Sequence, residues 1–249
     1  MNKTLFLSLP LILSFAPACL DDEPTEEDYD DVAQAVGSLV ANEGASVDEV
    51  SAMEDAIEMA LGQSPLTRSG DGRYEGQYLG VDYTYDLVCD DADGATLARC
   101  DERTEEARLD LSWTGELDAP RYRASLVRTG SWTLSGLQGD EVTFAGTGTF
   151  DVQSAFTAAF RPVERTFLLD YDAQYDGVTY DRATSRFTGG TIRYDVRVER
   201  TRDGRFRDTE ASFDMDVTVV FDGDGTATVT VDGSRTYDLS LSDGTLQKS

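Results

Sequence analysis

The residues able to do chemistry are distributed so unevenly in this 249-residue chain that they exclude more than they suggest. There is no histidine, so Ser-His-Asp and Cys-His pairs and histidine-ligated metal centres cannot be built. Lysine occurs only at Lys3 and Lys248, which leaves Schiff-base and Ser-Lys catalysis without an internal amine. Carboxylate is abundant instead, with 48 Asp and Glu against 21 Lys and Arg. Two carboxylates can hydrolyse a glycoside by dividing acid and nucleophile roles. Here no pair is singled out by spacing, so no catalytic residue is assigned and no enzyme is expected. Calcium is the other use of clustered carboxylates. Asp222-Gly223-Asp224-Gly225 begins like a calcium loop, but Gly233 stands where the twelfth-position Glu belongs. Asp-Gly is equally what a hairpin turn requires. Asp90, Asp91 and Asp93 form a second, similarly weak candidate. The expectation is turns in both places, with no metal and no cofactor.

Cysteine carries the most specific message. Residues 1–18 have the grammar of an export signal: Lys3, an apolar run from Leu5 to Phe15, then Ala16-Pro17-Ala18. The run is shorter than the roughly 20 apolar residues of a spanning helix. Cys19 follows directly, and Ala16-Pro17-Ala18-Cys19 resembles the lipobox of bacterial lipoproteins, with Ala16 where that family favours Leu. The resemblance covers this segment alone and identifies no family for the rest of the chain. It implies that Cys19 is lipidated and becomes the mature N-terminus, and that Leu20, not being Asp, favours the outer membrane. Ordinary cleavage after Ala18 is the alternative. With Cys19 set aside, Cys89 and Cys100 remain as an even pair in an oxidising compartment and are expected to form a disulfide.

Net charge is −27, one unit more negative once Lys3 leaves with the signal. Such a field repels nucleic acid and anionic membrane surfaces. The expected partners are therefore the membrane through the lipid anchor, and an envelope protein or an apolar ligand.

The elements that must position these residues fall into three segments. Residues 19–30, dense in Asp and Glu, read as an extended acidic tether. Residues 31–64 read as a helical hairpin. Val32, Ala35, Val36, Leu39 and Val40 share one helical face, Asn42-Glu43-Gly44 breaks it, and Ser46 with Glu49 matches a capping box. Val50, Met53, Ile57, Ala60 and Leu61 then continue to Gly62. Such a hairpin covers a sheet, or acts as a lid over a cavity.

From 74 to 247 the period switches to two and predicts about ten strands joined by tight turns. A two-residue turn at Asp203-Gly204 sets Val198 against Thr209, Val196 against Ala211, Tyr194 against Phe213 and Ile192 against Met215. It also sets Arg197 against Glu210 and Arg193 against Asp214. A loop at Gln138-Gly139-Asp140 places Leu134 opposite Phe144 and Trp132 opposite Gly146, and a turn near Pro162 places Phe160 by Phe167 and Phe156 by Tyr171. Asp176-Gly177, Gly189-Gly190 and Gly223-Asp224-Gly225 read as further reversals. Trp113, Trp132, Tyr83, Tyr85, Tyr122, Tyr171 and Tyr194 fall on the apolar faces and read as core.

The fold expected is therefore mainly β, an antiparallel meander curved strongly or closed into a barrel, with a short N-terminal helical hairpin. Its function is expected to be structural or protein-binding. The alternative is a carrier, because a meander capped by helices resembles in outline the lipocalins and the lipoprotein-carrier fold, which hold acyl chains. A small outer-membrane barrel is a third form of the same strand pattern.

Overall fold

The computed structural model describes residues 24–41, 49–64, 67–68, 73–78, 80–119, 122–157, 164–202 and 209–249. Cys19, Ser46, Phe160 and the Asp203-Gly204 turn lie outside these residues. Among the described residues, two helices, α1 (Glu26–Val40) and α2 (Glu49–Ala60), precede twelve strands. These are β1 (Thr67–Arg68), β2 (Tyr74–Tyr78), β3 (Val81–Asp91), β4 (Thr104–Ala119), β5 (Tyr122–Ser135), β6 (Glu141–Thr157) and β7 (Glu164–Asp181), followed by β8 (Arg186–Arg202), β9 (Thr209–Phe221), β10 (Thr226–Val231), β11 (Arg235–Ser240) and β12 (Leu246–Lys248). Each strand pairs antiparallel with its neighbours in sequence, forming one meander in the order β1 to β12. The two strands beyond the expected ten are β1 and β12, two and three residues long, too short for an alternation to show. The sheet is open and not strongly curled, so neither the barrel nor the strongly curved form is adopted. Its apolar face is closed by helices instead of by the sheet itself. No helix of the described residues is long and apolar enough to cross a membrane.

α1 begins at Glu26, inside the segment read as tether. Thr25 caps it: its hydroxyl accepts from the Asp28 backbone N–H, and the Asp28 carboxylate accepts from the Thr25 N–H at 2.8 Å. Acidic residues at a helix start interact favourably with the helix dipole, so the composition that suggested an extended tether builds a first turn. That turn is pinned to the last strands, with Glu26 accepting from Arg235 and Lys248 and Asp30 from Tyr237. The Arg235 guanidinium also lies 3.4 Å from the Tyr29 ring centre. α2 ends in a Schellman closure: Gln63 N–H bonds Glu58 O and Gly62 N–H bonds Met59 O, with Gly62 at φ 69°.

Two hairpins test the expected registers. In β5–β6, Leu134 stands opposite Phe144 and Trp132 opposite Gly146, as the pattern predicts. A Cβ on Gly146 would lie 2.2 Å from Ser131 O, so only glycine lets the strands close there. In β8–β9 the register is displaced by four residues: Val198 faces Phe213, Val196 faces Met215, Tyr194 faces Val217 and Ile192 faces Val219. Arg197 consequently meets Asp214 instead of Glu210, and Arg193 meets Thr218 instead of Asp214. An even displacement keeps every side chain on its face, and this one sets the apolar run from Phe213 to Val219 against the full apolar face of β8.

Other turn readings are corrected in the same way. Tyr171 lies opposite Phe150, and Phe156 opposite Arg165. Gly177 and Gly190 sit inside β7 and β8 at a bulge, where a Cβ on Gly190 would lie 2.3 Å from Gly177 O. The reversal between these strands falls at Arg182–Ser185. Gly223-Asp224-Gly225 does turn β9 into β10.

Candidate functional site

The two faces of the sheet differ in chemistry. On the inner face β4 contributes Ala107, Leu109, Leu111 and Trp113, and the same alternation continues through Leu239 in β11, all buried. α2 lies on this face and is buried on nearly every side (Val50, Ala52, Met53, Ala56, Ile57, Met59 and Ala60). Trp113, Trp132, Tyr171 and Tyr194, read as core, are core, and so are Tyr83 and Tyr85. The Tyr122 side chain lies outside the described residues.

At the centre of that apolar layer sits an ion pair. Glu49, the first residue of α2, is fully buried, and Arg128 of β5 is 2% exposed. The Arg128 guanidinium donates to Glu49 Oε2, the Tyr175 hydroxyl donates to the same oxygen at 2.8 Å, and the Tyr171 hydroxyl donates to Oε1 at 3.1 Å. Arg128 is also walled by rings, its Cζ lying 4.7 Å from the Trp113 centre, 5.6 Å from Trp132 and 5.9 Å from Phe150. Burial, the largest influence, opposes the guanidinium charge, but the Glu49 carboxylate together with the Tyr171 and Tyr175 phenols outweighs it and holds the Arg128 pKa above its ordinary value. Burial and the same carboxylate push the Tyr171 and Tyr175 phenols well up, so both stay protonated as donors.

Two further carboxylates of α2 reach the sheet. Glu54 accepts from the Tyr180 hydroxyl, and Asp55 accepts from Tyr85 at 3.3 Å. Tyr85 in turn accepts from Trp113 Nε1 at 3.0 Å. Burial raises Asp55 to about 6 against the opposing pull of that hydrogen bond.

Sequence reasoning placed Glu49 in a helix cap and did not single out Arg128. Both left a signal. Arg128 occupies an inward position between Leu126 and Trp132 in an alternating strand, and Glu49 adjoins Val50 and Met53 on an apolar stripe. A charge on each of two apolar faces is the signature of a buried pair.

The other predicted positions are turn and scaffold chemistry. Cys89 and Cys100 form the disulfide, Cα atoms 5.3 Å apart, bracing β3 beneath the end of α2. Asp91 accepts from the Asp93 and Ala95 backbone N–H groups, and Asp90 accepts from Thr96 and Arg108. Asp224 accepts from Thr226 N–H at 3.1 Å and from its hydroxyl, while Asp222 accepts from Thr228. Their oxygens serve the turns, and no group of three or more potential ligands converges on a metal position among the described residues.

The outer face carries charge in rows. Across β7, β8 and β9, Asp172 stands directly opposite Asp195, and Asp195 directly opposite Asp216. A neighbouring row runs Asp151, Asp170, Arg197, Asp214. Partial burial, then Asp151 and Asp172, raise the Asp170 pKa. A shallow concavity of about 250 Å³ lies over these residues. No family model, no curated protein and no solved structure matches this chain.

Proposed function

We propose that the protein is an exported, lipid-anchored module of the cell envelope. Cys19 holds it at the outer membrane, and the uncovered sheet face binds a cationic protein segment. The observation that carries the reading is the direct opposition of Asp172, Asp195 and Asp216. Like charges set directly across a sheet destabilise it, by about 0.2–1 kcal/mol for each pair. Alternating signs avoid that cost, and the neighbouring row has them where Arg197 faces Asp214. A cost to stability concentrated on one solvent face is what a binding surface carries. A partner bringing Lys or Arg to that row relieves the repulsion as it docks.

The test compares two triple variants of equal net charge. Asp172→Asn/Asp195→Asn/Asp216→Asn alters the row, and Glu75→Gln/Glu102→Gln/Glu116→Gln alters exposed carboxylates elsewhere. Binding of a fluorescent Lys/Arg-rich peptide is followed by anisotropy in moderate salt. The row variant is expected to lose affinity about tenfold or more while gaining stability, and the control to lose little. Equal losses mean a general acidic surface and overturn the reading. The anchor is tested separately. Cys19→Ser is expected to move the protein from the membrane fraction to the soluble one, and a wild type that never partitions to membranes overturns that part.

A further inference from the structure

Two buried donors beside the Glu49–Arg128 pair are not used by it. Tyr194 Oη and Trp132 Nε1 are fully buried and have no hydrogen-bond partner. The Tyr194 ring stands edge-on to Tyr171 with centres 5.1 Å apart, and the Trp132 ring lies 5.4 Å from that of Tyr175. The rings that present these unused donors therefore pack directly against the two phenols that hold Glu49. An unpaired buried donor costs about 1–3 kcal/mol, and one in a native structure calls for a reason.

Every donor here belongs to the sheet: Arg128 and Trp132 to β5, Tyr171 and Tyr175 to β7, Tyr194 to β8. Their acceptor belongs to a separate 12-residue helix. The sheet alone thus presents oxyanion donors in an aromatic, apolar surface, and two buried donors beside them, Tyr194 and Trp132, are not engaged by the Glu49 carboxylate. α2 has the chemistry of the matching ligand, a carboxylate head at Glu49 followed by the apolar run of Val50, Met53 and Ile57.

We propose that the inner face of the sheet is a binding site for an oxyanion-headed amphiphile, with α2 as its resident competitor. The head takes the place of the Glu49 carboxylate and engages Tyr194 and Trp132 as well. The apolar tail covers the surface that Val50, Met53 and Ile57 cover now. This site is on the opposite face from the Asp row and stands independently of it. A phosphate monoester, with three free oxygens, satisfies more of the donors than a carboxylate does. Because the protein is strongly anionic, the affinity for either head rises with salt.

The mature chain bearing Cys19→Ser is titrated with dodecyl phosphate, laurate and the neutral dodecyl maltoside, each below its micelle concentration. Intrinsic fluorescence is the readout, since both tryptophans of the chain stand within 6 Å of the Arg128 guanidinium carbon. Dodecyl phosphate and laurate are expected to give saturable changes and the neutral amphiphile none; the tighter of the two anions names the head group. Glu49→Gln, which removes the competing charge, is expected to tighten binding about tenfold. Tyr194→Phe is expected to weaken dodecyl phosphate about fivefold, one ordinary hydrogen bond, without destabilising the ligand-free protein, since the hydroxyl has no partner to lose. A response shared by all three amphiphiles overturns the site. So does a Tyr194→Phe variant that is destabilised with its affinity unchanged. If Glu49→Gln does not fold, the wild-type and Tyr194→Phe titrations decide alone.

Discussion

The two faces of the sheet are written in the same alternating pattern and treat charge in opposite ways. Inside, the Arg128 guanidinium is matched by the Glu49 carboxylate and three aromatic walls, and two phenols donate to that carboxylate. Outside, carboxylates are left facing carboxylates, Asp172 to Asp195 to Asp216. Water makes the difference. A buried charge without its partner costs several kcal/mol, whereas a solvated one facing its like costs a fraction of that. The inner arrangement is therefore obligatory once Arg128 is present, and the outer one is a choice the fold tolerates. Inner substitutions should act on stability strongly and regardless of salt, and outer ones weakly and through salt.

The largest effect is expected from breaking the inner pair. Glu49→Ala should destabilise the protein by about 3–5 kcal/mol, because it leaves the Arg128 charge buried and uncompensated. Replacing the pair together with its two phenol donors, as Glu49→Met/Arg128→Met/Tyr171→Phe/Tyr175→Phe, should restore most of that loss, since apolar groups of similar volume substitute well for a buried pair once no hydroxyl is left without its acceptor. Urea denaturation of the three proteins measures this. A combined variant as unstable as the single one would mean that the pair matters for shape rather than for charge.

Next is the disulfide that braces the same layer from the edge. Cys89→Ser/Cys100→Ser should cost about 2–3 kcal/mol, the chain-entropy value for a loop of this length, with a sequence separation of 11. Hydrogen exchange should show the loss spreading from the disulfide loop to the end of α2, because a Cβ on Gly62 would lie 2.9 Å from Cys100 O.

Asp55 sharpens the comparison, being an inner carboxylate that is not matched by a cation. Its folded pKa is raised from 3.8 to about 6 by burial, so the native state holds a proton that the unfolded chain releases. The contribution is fully present below the unfolded value and is lost as pH rises through about 6. The shift sets an upper limit of about 3 kcal/mol. Asp55→Asn keeps an acceptor for Tyr85 and should stabilise the protein by about 1–2 kcal/mol at pH 8, with no gain below pH 4. Thermal melts across that range check it. A gain independent of pH would assign the effect to packing.

How much of this was legible in the sequence depended on which interactions are local. The meander, the Trp132–Gly146 contact and the disulfide follow from alternation, turn length and cysteine count. The β8–β9 hairpin shows the limit. Alternation determines which face each residue takes, and a displacement by four preserves it, so only the summed apolar contact of two whole strands selects the register. α1 shows another: Asp and Glu at 26–31 repel one another as free chain but cap a helix once Arg235 and Lys248 arrive from residues two hundred positions away. The Glu49–Arg128 pair, 79 residues apart, is meaningful only when a helix lies on a sheet.

The smallest effect tests the outer face. Asp195 faces both Asp172 and Asp216, so Asp195→Asn relieves two oppositions at once and should stabilise the protein by about 0.4–1 kcal/mol at low ionic strength. At 1 M salt the screening length falls to about 3 Å, shorter than the spacing of facing strands, and the gain should vanish. The stability lost in Glu49→Ala should hardly change over the same range, because ions do not enter the layer between α2 and the sheet. Parallel denaturation curves in low and high salt for the two variants make the comparison direct. If Asp195→Asn is neutral at every ionic strength, the row is relaxed by side-chain motion into solvent, and the cost on which the binding role of that face rests is not there.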